Sequence, residues 1–161
     1  MPGLYAWWAA SDLLPDLQYL PDRGRHPAKP DLVLLYVGIA QDLRKRISGK
    51  HLGSSTGGST LRRTFAALQS QQLGLVACWS PNGDRVTLEK QSEARLTAWM
   101  RQVLHVSWVP HPQPRTIEAE VIGLLGPACN VDHNEHHPSH RQMIAARAAW
   151  RASAGPSPVR G

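Results

Sequence analysis

The hydrophobic positions of the chain form short runs that alternate with polar segments containing proline or glycine. Three runs have the length and the aromatic or β-branched content of strands: GLYAWWAA (residues 3–10), DLVLLYVG (31–38) and HVSWVP (105–110). LVACW (75–79) is a shorter strand candidate, followed by the turn sequence SPNGD. The segment PDRGRHPAKPD (21–31) contains three prolines and predicts a loop.

Helical spacing or helix-start residues mark the segments between and after these strands. Ser59 caps a predicted helix whose apolar face is Leu61, Phe65 and Leu68, and the final segment RQMIAARAAWRA (141–152) is amphipathic. Three further helices are predicted to start at Asp42, Thr87 and Thr116. Strands and helices are mixed along the chain, which predicts a small α/β or α+β domain over residues 1–152 and a disordered tail over 153–161.

The overall charge favours a polyanionic partner. Lysine and arginine number 18 against 12 acidic residues, a formal net charge of +6. Nucleic acid is the first candidate partner and an anionic membrane the second, while a basic protein with neither partner stays open. Cys78 and Cys129 are too few for a disulfide framework or a four-cysteine zinc site. Because the chain has neither a long apolar run nor a signal-peptide pattern, we expect a cytoplasmic protein without a membrane span.

Four short motifs along the chain contain residues suited to catalysis. They are GLY at residues 3–5, YVG at residues 36–38, an arginine ten residues after Tyr36, and EAEVIGLLGPACN at residues 118–130. Each motif alone is common, but in this order they resemble the signature of the GIY-YIG nuclease family over residues 3–130, with a C-terminal helical extension over 131–152.

The resemblance implies a fold, an activity and a set of roles. The family hydrolyses phosphodiester bonds in DNA, leaving a 5′-phosphate and a 3′-hydroxyl, and its fold is a small three-stranded antiparallel sheet flanked by helices. It implies that Tyr5 accepts the proton of the attacking water, Tyr36 lies near the phosphate, and Arg46 grips the phosphate. Glu118 would bind one Mg²⁺ or Mn²⁺.

Elementary chemistry supports these roles. A guanidinium forms bidentate contacts with phosphate oxygens, and a glutamate is a hard oxygen ligand suited to Mg²⁺. Glu120 is the rival ligand, but residues two apart on a helix face different ways, so only one of the two enters the site. A phenol with a pKa near 10 is a poor base at neutral pH unless positive charge lowers that pKa, and Arg46 with a metal ion would supply the charge.

Further polar residues are assigned to the site or to DNA. His51 is taken as an accessory proton acceptor or phosphate partner, although Lys50 occupies the family's spacing after the arginine. Asn130 either ties backbone near the site or simply ends a helix. The residues expected to contact DNA are Arg44, Lys45, Lys50, Arg62, Arg63 and Asn130. The competing interpretations are a solvated basic helix face for 44–46 and a plain helix cap for the segment around Arg62 and Arg63.

A histidine-rich segment leaves several interpretations open. Its members, His133, His136, His137 and His140, could form a zinc site, pack against the catalytic face or contact phosphate. The leading hypothesis is a metal-dependent DNA endonuclease. The alternatives are a DNA-binding module that keeps the fold without useful catalysis, and a zinc-containing interaction protein. The sequence leaves open whether the role is repair, restriction or mobile-element transfer, and whether a homodimer or partner protein supplies specificity.

Overall fold

The structure is a computed structural model that describes residues 1–20, 23–53 and 55–158. The strands in this part of the chain are β1 (Gly3–Ala10), β2 (Arg25–His26), β3 (Lys29–Ala40), β4 (Ala77–Trp79), β5 (Val86–Leu88) and β6 (His105–Pro110). The α-helices are α1 (Thr60–Gln69), α2 (Lys90–Val103), α3 (Glu118–Leu125) and α4 (His140–Ser153). A π-helix covers Lys45–His51, and short 3₁₀ turns cover Thr56–Gly58 and Pro114–Thr116. These elements belong to two compact units.

The first unit consists of Met1–Arg46 and Val103–Met143. Its antiparallel sheet has the strand order β2-β3-β1-β6, so the N-terminal strand β1 lies in the interior between β3 and β6. The expected mixed α+β fold with an antiparallel sheet is confirmed, with four strands rather than three. The additional strand, β2, is only two residues long and forms a hairpin with β3.

One face of this sheet forms a hydrophobic core with α3. Trp8, Leu34 and Val37 from the strands pack with Ile122 of the helix, and all four are buried. Consecutive residues of β1 are buried, so both faces of this strand are covered, which matches its continuous apolar sequence. Its tight packing requires a small residue at Gly3, where an added Cβ would overlap the carbonyl oxygen of Val109.

The second unit consists of Ile47–Gln102 and the chain from Ile144 onward. Leu61 and Phe65 of α1 and Leu96 and Met100 of α2 are fully buried within it. The rings of Phe65 and Trp99 meet edge to face, with their centroids 5.4 Å apart. β4 and β5 form a separate two-stranded hairpin.

Several sequence expectations are confirmed and others are wrong. β1 and β6 begin and end where the hydrophobic pattern places them, and Ser59 caps α1 by accepting a hydrogen bond from the backbone N–H of Arg62 at 3.1 Å. Thr87 does not cap α2, because it lies in β5. Thr116 ends a 3₁₀ turn, and α3 begins two residues later.

Expectations for the proline-containing segment, the C-terminal tail and membrane-spanning helices have different outcomes. The segment 21–31 is not simply a loop, since β2 and the start of β3 lie within it; Pro21 and Asp22 are outside the described residues. The disorder expected over 153–161 stays a prediction, and residues 159–161 are likewise outside the described part. No described helix has the length and apolar character needed to cross a membrane.

Candidate active site in the first unit

Tyr5 is the most enclosed polar side chain of the candidate site. It lies in the middle of β1, paired with Gly38 on β3 and with Trp108 on β6, and is 2% exposed. A Cβ atom added at Gly38 would overlap the Tyr5 hydroxyl and lie 2.6 Å from its Cζ. The glycine of the YVG motif is therefore the residue that makes room for the ring of Tyr5.

Tyr36 lies beside Tyr5. The two rings are 6.5 Å apart between centroids, with an angle of 24° between their planes, so they face the same region of the site. Burial raises the pKa of Tyr36 well above its usual range, and the proximity of Tyr5 raises it further. Tyr36 is consequently a neutral hydroxyl that can donate or accept hydrogen bonds.

Arg46 approaches Tyr5 from the segment after β3. Its Nε donates a hydrogen bond to the Tyr5 hydroxyl at 3.3 Å. Asp42 orients this segment: its Oδ1 accepts from the Lys45 N–H at 3.0 Å, and its carbonyl accepts from the Arg46 N–H at 2.9 Å. The terminal nitrogens of Arg46 make no hydrogen bond with any described residue, so they can bind an anion.

Glu118 supplies the negative charge of the site. It is the first residue of α3 and is half-buried, and its carboxylate raises the pKa of both Tyr5 and Tyr36. Glu120, the rival candidate, is exposed to solvent. Glu118 has no hydrogen bond or ion pair with any described residue, which leaves both carboxylate oxygens available.

This carboxylate fits a divalent cation of the Mg²⁺ type. Within the described residues no group of three or more His, Cys, Asp or Glu side chains could hold a metal. Mg²⁺ is commonly held by one or two carboxylates, with water and substrate phosphate completing its coordination. A single glutamate, in a site that also contains an arginine with open terminal nitrogens, matches that pattern, whereas it would be a poor zinc site.

The electrostatics of Tyr5 balance opposing effects. Burial is the largest and raises its pKa; the hydrogen bond and the charge of Arg46 lower it, and Glu118 raises it. The net result is a pKa above the usual value, so Tyr5 is protonated at neutral pH in the absence of a cation. A cation bound by Glu118 would cancel the raising influence of that carboxylate.

Asn130 has a structural place next to the site. Its Oδ1 accepts from the Val37 N–H and its Nδ2 donates to the Val37 carbonyl, both at 2.9 Å, so it pairs with β3 as another strand would. The expectation that it ties backbone together fits this geometry. The expectation that it contacts DNA does not, because the side chain is buried and both polar ends are satisfied.

Arg44 and Lys45, expected to contact DNA, are exposed and can reach solvent-borne phosphate. Lys50, His51, Arg62 and Arg63 belong to the second unit. Lys50 is exposed, whereas His51 is completely buried, with its Nδ1 2.8 Å from Ser59 Oγ. A phosphate cannot reach His51 in this arrangement, so Lys50 is the residue at this spacing that solvent-borne phosphate can reach.

The assignment of Arg62 to DNA contact does not fit the structure. Its guanidinium is fully buried and forms an ion pair with Glu93 at 2.6 Å. It also donates to the carbonyl of His51 and to Thr97 Oγ1, both at 3.0 Å. Arg62 therefore links α1 to α2, while its neighbour Arg63 is partly exposed and remains a candidate for DNA contact.

The histidine-rich segment does not form a metal cluster in the described structure. His133 and His136 are exposed, while His137 is buried and its Nδ1 accepts from the Ser139 N–H at 3.1 Å. The zinc hypothesis therefore has no ligand group here to support it.

Trp108 is a residue that the sequence did not single out from the other tryptophans. It lies on the edge strand β6, directly opposite Tyr5, and is 58% exposed. Only the sheet register reveals that its side chain lies on the same face as Tyr5.

Comparison with known proteins identifies the family of this chain. Residues 3–149 match the family model described as the GIY-YIG catalytic domain. No curated protein and no solved structure shows a significant match. The family domain indicates an endonuclease, a hydrolase that acts on DNA, and such nucleases typically use divalent metal ions. Because the match covers most of the chain and contains Tyr5, Tyr36, Arg46 and Glu118, this chain belongs to the GIY-YIG family.

Proposed function

We propose that the chain is a Mg²⁺- or Mn²⁺-dependent DNA endonuclease whose reaction centre is formed by Tyr5, Tyr36, Arg46 and Glu118. The observation that carries the proposal is the Arg46 Nε to Tyr5 hydroxyl hydrogen bond of 3.3 Å, with an unpaired glutamate near enough to influence both tyrosines. This arrangement combines a proton acceptor, a phosphate-binding cation and a metal ligand in one unit of the fold.

In the proposed reaction, residues of the chain accept the proton of the attacking water and bind the phosphate. The Tyr5 phenolate accepts a proton from water, the water oxygen forms a bond to phosphorus, and the bond to the 3′-oxygen breaks. The 3′-oxygen takes a proton from solvent, which leaves a 3′-hydroxyl and a 5′-phosphate. Arg46 binds the phosphate oxygens as they gain negative charge. A divalent cation held by Glu118 would stabilise negative charge on the leaving oxygen.

Arg46 has a second role, toward Tyr5. Its hydrogen bond and positive charge lower the pKa of the phenol, which opposes the rise caused by burial. Replacing it with alanine therefore removes both phosphate binding and activation of the base. The loss of such a preorganised donor typically costs about 10²–10³ in kcat.

Exposed residues in each unit are candidates for binding the DNA. Arg44, Lys45 and Lys50 are exposed cations that fit backbone phosphates, and Arg63 is a further candidate. Trp108 presents an exposed ring on the face of the sheet that carries Tyr5, which suits stacking on a base near the cleaved bond.

The test is a cleavage assay on supercoiled plasmid, linear duplex, single strand, flap and four-way junction. Each substrate is incubated with Mg²⁺, with Mn²⁺ and with EDTA, for the unaltered protein and for Arg46→Ala, Glu118→Ala and Arg141→Ala. Arg141 is an exposed arginine at the start of α4 and is the matched control. We expect metal-dependent cutting that is lost with Arg46→Ala and Glu118→Ala and kept with Arg141→Ala.

The alternative is a DNA-binding module that retains the fold without useful catalysis. The burial of Tyr5 favours this alternative, because the raised pKa disfavours the phenolate. A folded protein that binds DNA but cuts none of the substrates with either metal would refute the nuclease proposal and leave the binding module.

A further inference from the structure

The second unit contains an arginine-rich cavity of about 560 Å³, a volume within the range of ligand-binding pockets. It is lined by residues of α1, of the β4–β5 hairpin and of α4. The charged residues among them are Arg63, Asp84, Arg85, Arg147 and Arg151. Among these lining residues the arginines outnumber the acidic residues four to one, so the cavity favours an anion.

The positions of these guanidiniums are fixed by their neighbours. Arg63 and Arg85 both donate to the carbonyl oxygen of Gly57, at 3.0 and 3.1 Å, so one acceptor holds two cations close together. Asp84 forms an ion pair with Arg85 at 2.8 Å. The guanidinium of Arg151 lies 5.5 Å from the centroid of the Trp79 ring, which restricts its motion.

Arg147 is the least satisfied member of the cavity. It lies one helical turn before Arg151, on the same side of α4, and its side chain makes no hydrogen bond or ion pair with any described residue. Trp150 also lines the cavity. A guanidinium without an acceptor, beside three other guanidinium groups, favours a ligand rich in oxygen.

We infer that this cavity, defined by Arg63, Arg85, Arg147 and Arg151, is a second phosphate-binding site that holds the backbone of a DNA strand. Guanidinium groups match phosphate geometry with two parallel hydrogen bonds. The inference rests on the proposed DNA substrate. A free phosphate compound, such as pyrophosphate or a mononucleotide, carries the same chemistry and is separated from DNA by the test.

The first arm of the test measures DNA binding without cleavage. Anisotropy of a labelled duplex is recorded in EDTA over a range of salt concentrations, for the full chain and for Arg147→Ala/Arg151→Ala. Each phosphate neutralised contributes about 0.9 to the slope of log K against log salt. We expect the double variant to have a slope shallower by about 2 and weaker binding at every salt concentration, whereas Arg141→Ala, on the same helix but outside the cavity, keeps the original slope.

The second arm measures thermal unfolding with pyrophosphate or a 5′-mononucleotide. A Tm rise in the unaltered protein that disappears in the double variant, together with an unchanged DNA slope, would overturn the DNA assignment in favour of a free phosphate compound. An unchanged DNA slope with no Tm rise would overturn the site altogether. Arg147→Gln/Arg151→Gln, which keeps the Cβ–Cγ–Cδ stem, a polar end and a similar helix propensity, gives the same readouts should the alanine pair fail to fold.

The outcome does not depend on catalysis, because no metal is present in the binding assay. A protein that cuts no DNA but shows the shallower slope in the double variant would refute the proposed nuclease function and support the cavity. If the protein cuts DNA but the double variant has an unchanged slope, the nuclease proposal is supported and the DNA-binding cavity is refuted.

Discussion

At the scale of single residues, the site depends on one close approach between a tyrosine and a glycine. The ring of Tyr5 occupies the space in which any residue larger than glycine at position 38 would place its Cβ. The glycine of the YVG motif therefore makes room for Tyr5, the proposed base, on the neighbouring strand. This is a steric role that a motif comparison alone does not reveal.

The first prediction concerns that contact. Gly38→Ala forces the Tyr5 hydroxyl and ring aside, and a displacement of about 1 Å at a reacting group can cost about 10²-fold in rate. Gly49→Ala is the matched control, because nothing lies within 4 Å of a Cβ added there. Cleavage rates measured for the two variants should differ by about that factor. Equal rates would mean that Tyr5 need not hold this position.

The second prediction concerns pH. Burial holds the pKa of Tyr5 above its ordinary value, so the phenolate fraction at pH 7 is about 10⁻³ or less before a cation binds. Below the pKa, each unit of rising pH increases that fraction tenfold. With Mg²⁺ present, log kcat should therefore rise with pH until the pH reaches the pKa that Tyr5 has in the metal-bound protein. Tyr5→Phe should give a low rate without this rise, and a flat profile for the unaltered protein between pH 6 and 9 would exclude Tyr5 as the base.

The residues of the reaction centre were foreseeable because their spacing in the sequence is distinctive. Tyr5, Arg46 and Glu118 stand in family order, and the structure brings them together. Burial was not foreseeable from the same letters. Arg62 and Arg63 are adjacent, yet one is fully buried and the other partly exposed, because a helix turns neighbouring residues in different directions.

At the scale of elements, the buried pair of Arg62 and Glu93 connects α1 to α2. Glu93 accepts from Arg62 at 2.6 Å, and its carboxylate also accepts from the N–H of Thr56 at 2.6 Å and from its hydroxyl at 2.8 Å. A single carboxylate thus fixes a helix and the turn before it. Breaking such a pair leaves a buried charge without a counter-charge.

The third prediction concerns this pair. Glu93→Ala should lower the free energy of unfolding by about 3–5 kcal/mol, because the Arg62 guanidinium stays buried without a counter-charge. Glu89→Ala removes the same side chain from an exposed position one turn earlier and should have a small effect. Urea denaturation of both variants measures the difference. Similar midpoints for the two would contradict the structural role of the pair.

The fourth prediction concerns the edge strand β6. Trp108→Ala should weaken the binding of single-stranded DNA by about 1–3 kcal/mol if the ring stacks on a base. Val109→Ala is the matched control, since Val109 is similarly exposed, at 57%, but its side chain points to the opposite face of the sheet. Anisotropy titrations in EDTA should separate the two variants. Equal affinities would show that Trp108 does not contact a base.

Elements with a strong periodic signal were predicted well, and short ones were not. β1 and β6 have apolar runs with clear ends, so their limits follow from the sequence. β5 is three residues long and is stabilised by pairing with β4. The sequence around Thr87 does not reveal this pairing, which is why Thr87 was predicted to cap a helix. The segment after Asp42 has an ordinary helix start, yet it continues as a π-helix, a choice that local propensity does not encode.

At the scale of the whole molecule, the net charge of +6 suits a substrate whose surface is covered with phosphate. The acidic residue of the centre works against that attraction until a metal neutralises it. In the proposed reaction Glu118 is therefore required for the chemistry, while its charge opposes binding of the polyanion in the absence of metal. A nuclease would need Glu118 despite this repulsion of DNA, whereas a module that only binds DNA would not.

The last prediction uses that opposition. In EDTA, Glu118→Ala should bind duplex DNA as tightly as the unaltered protein or slightly more tightly, because one repulsive charge is gone. The slope of log K against log salt should not change, since no cation that contacts phosphate has been removed. With Mg²⁺, the same variant should not cut DNA. Weaker binding in EDTA would mean that Glu118 supports the fold and not the reaction, and retained cutting would mean that the metal is held elsewhere.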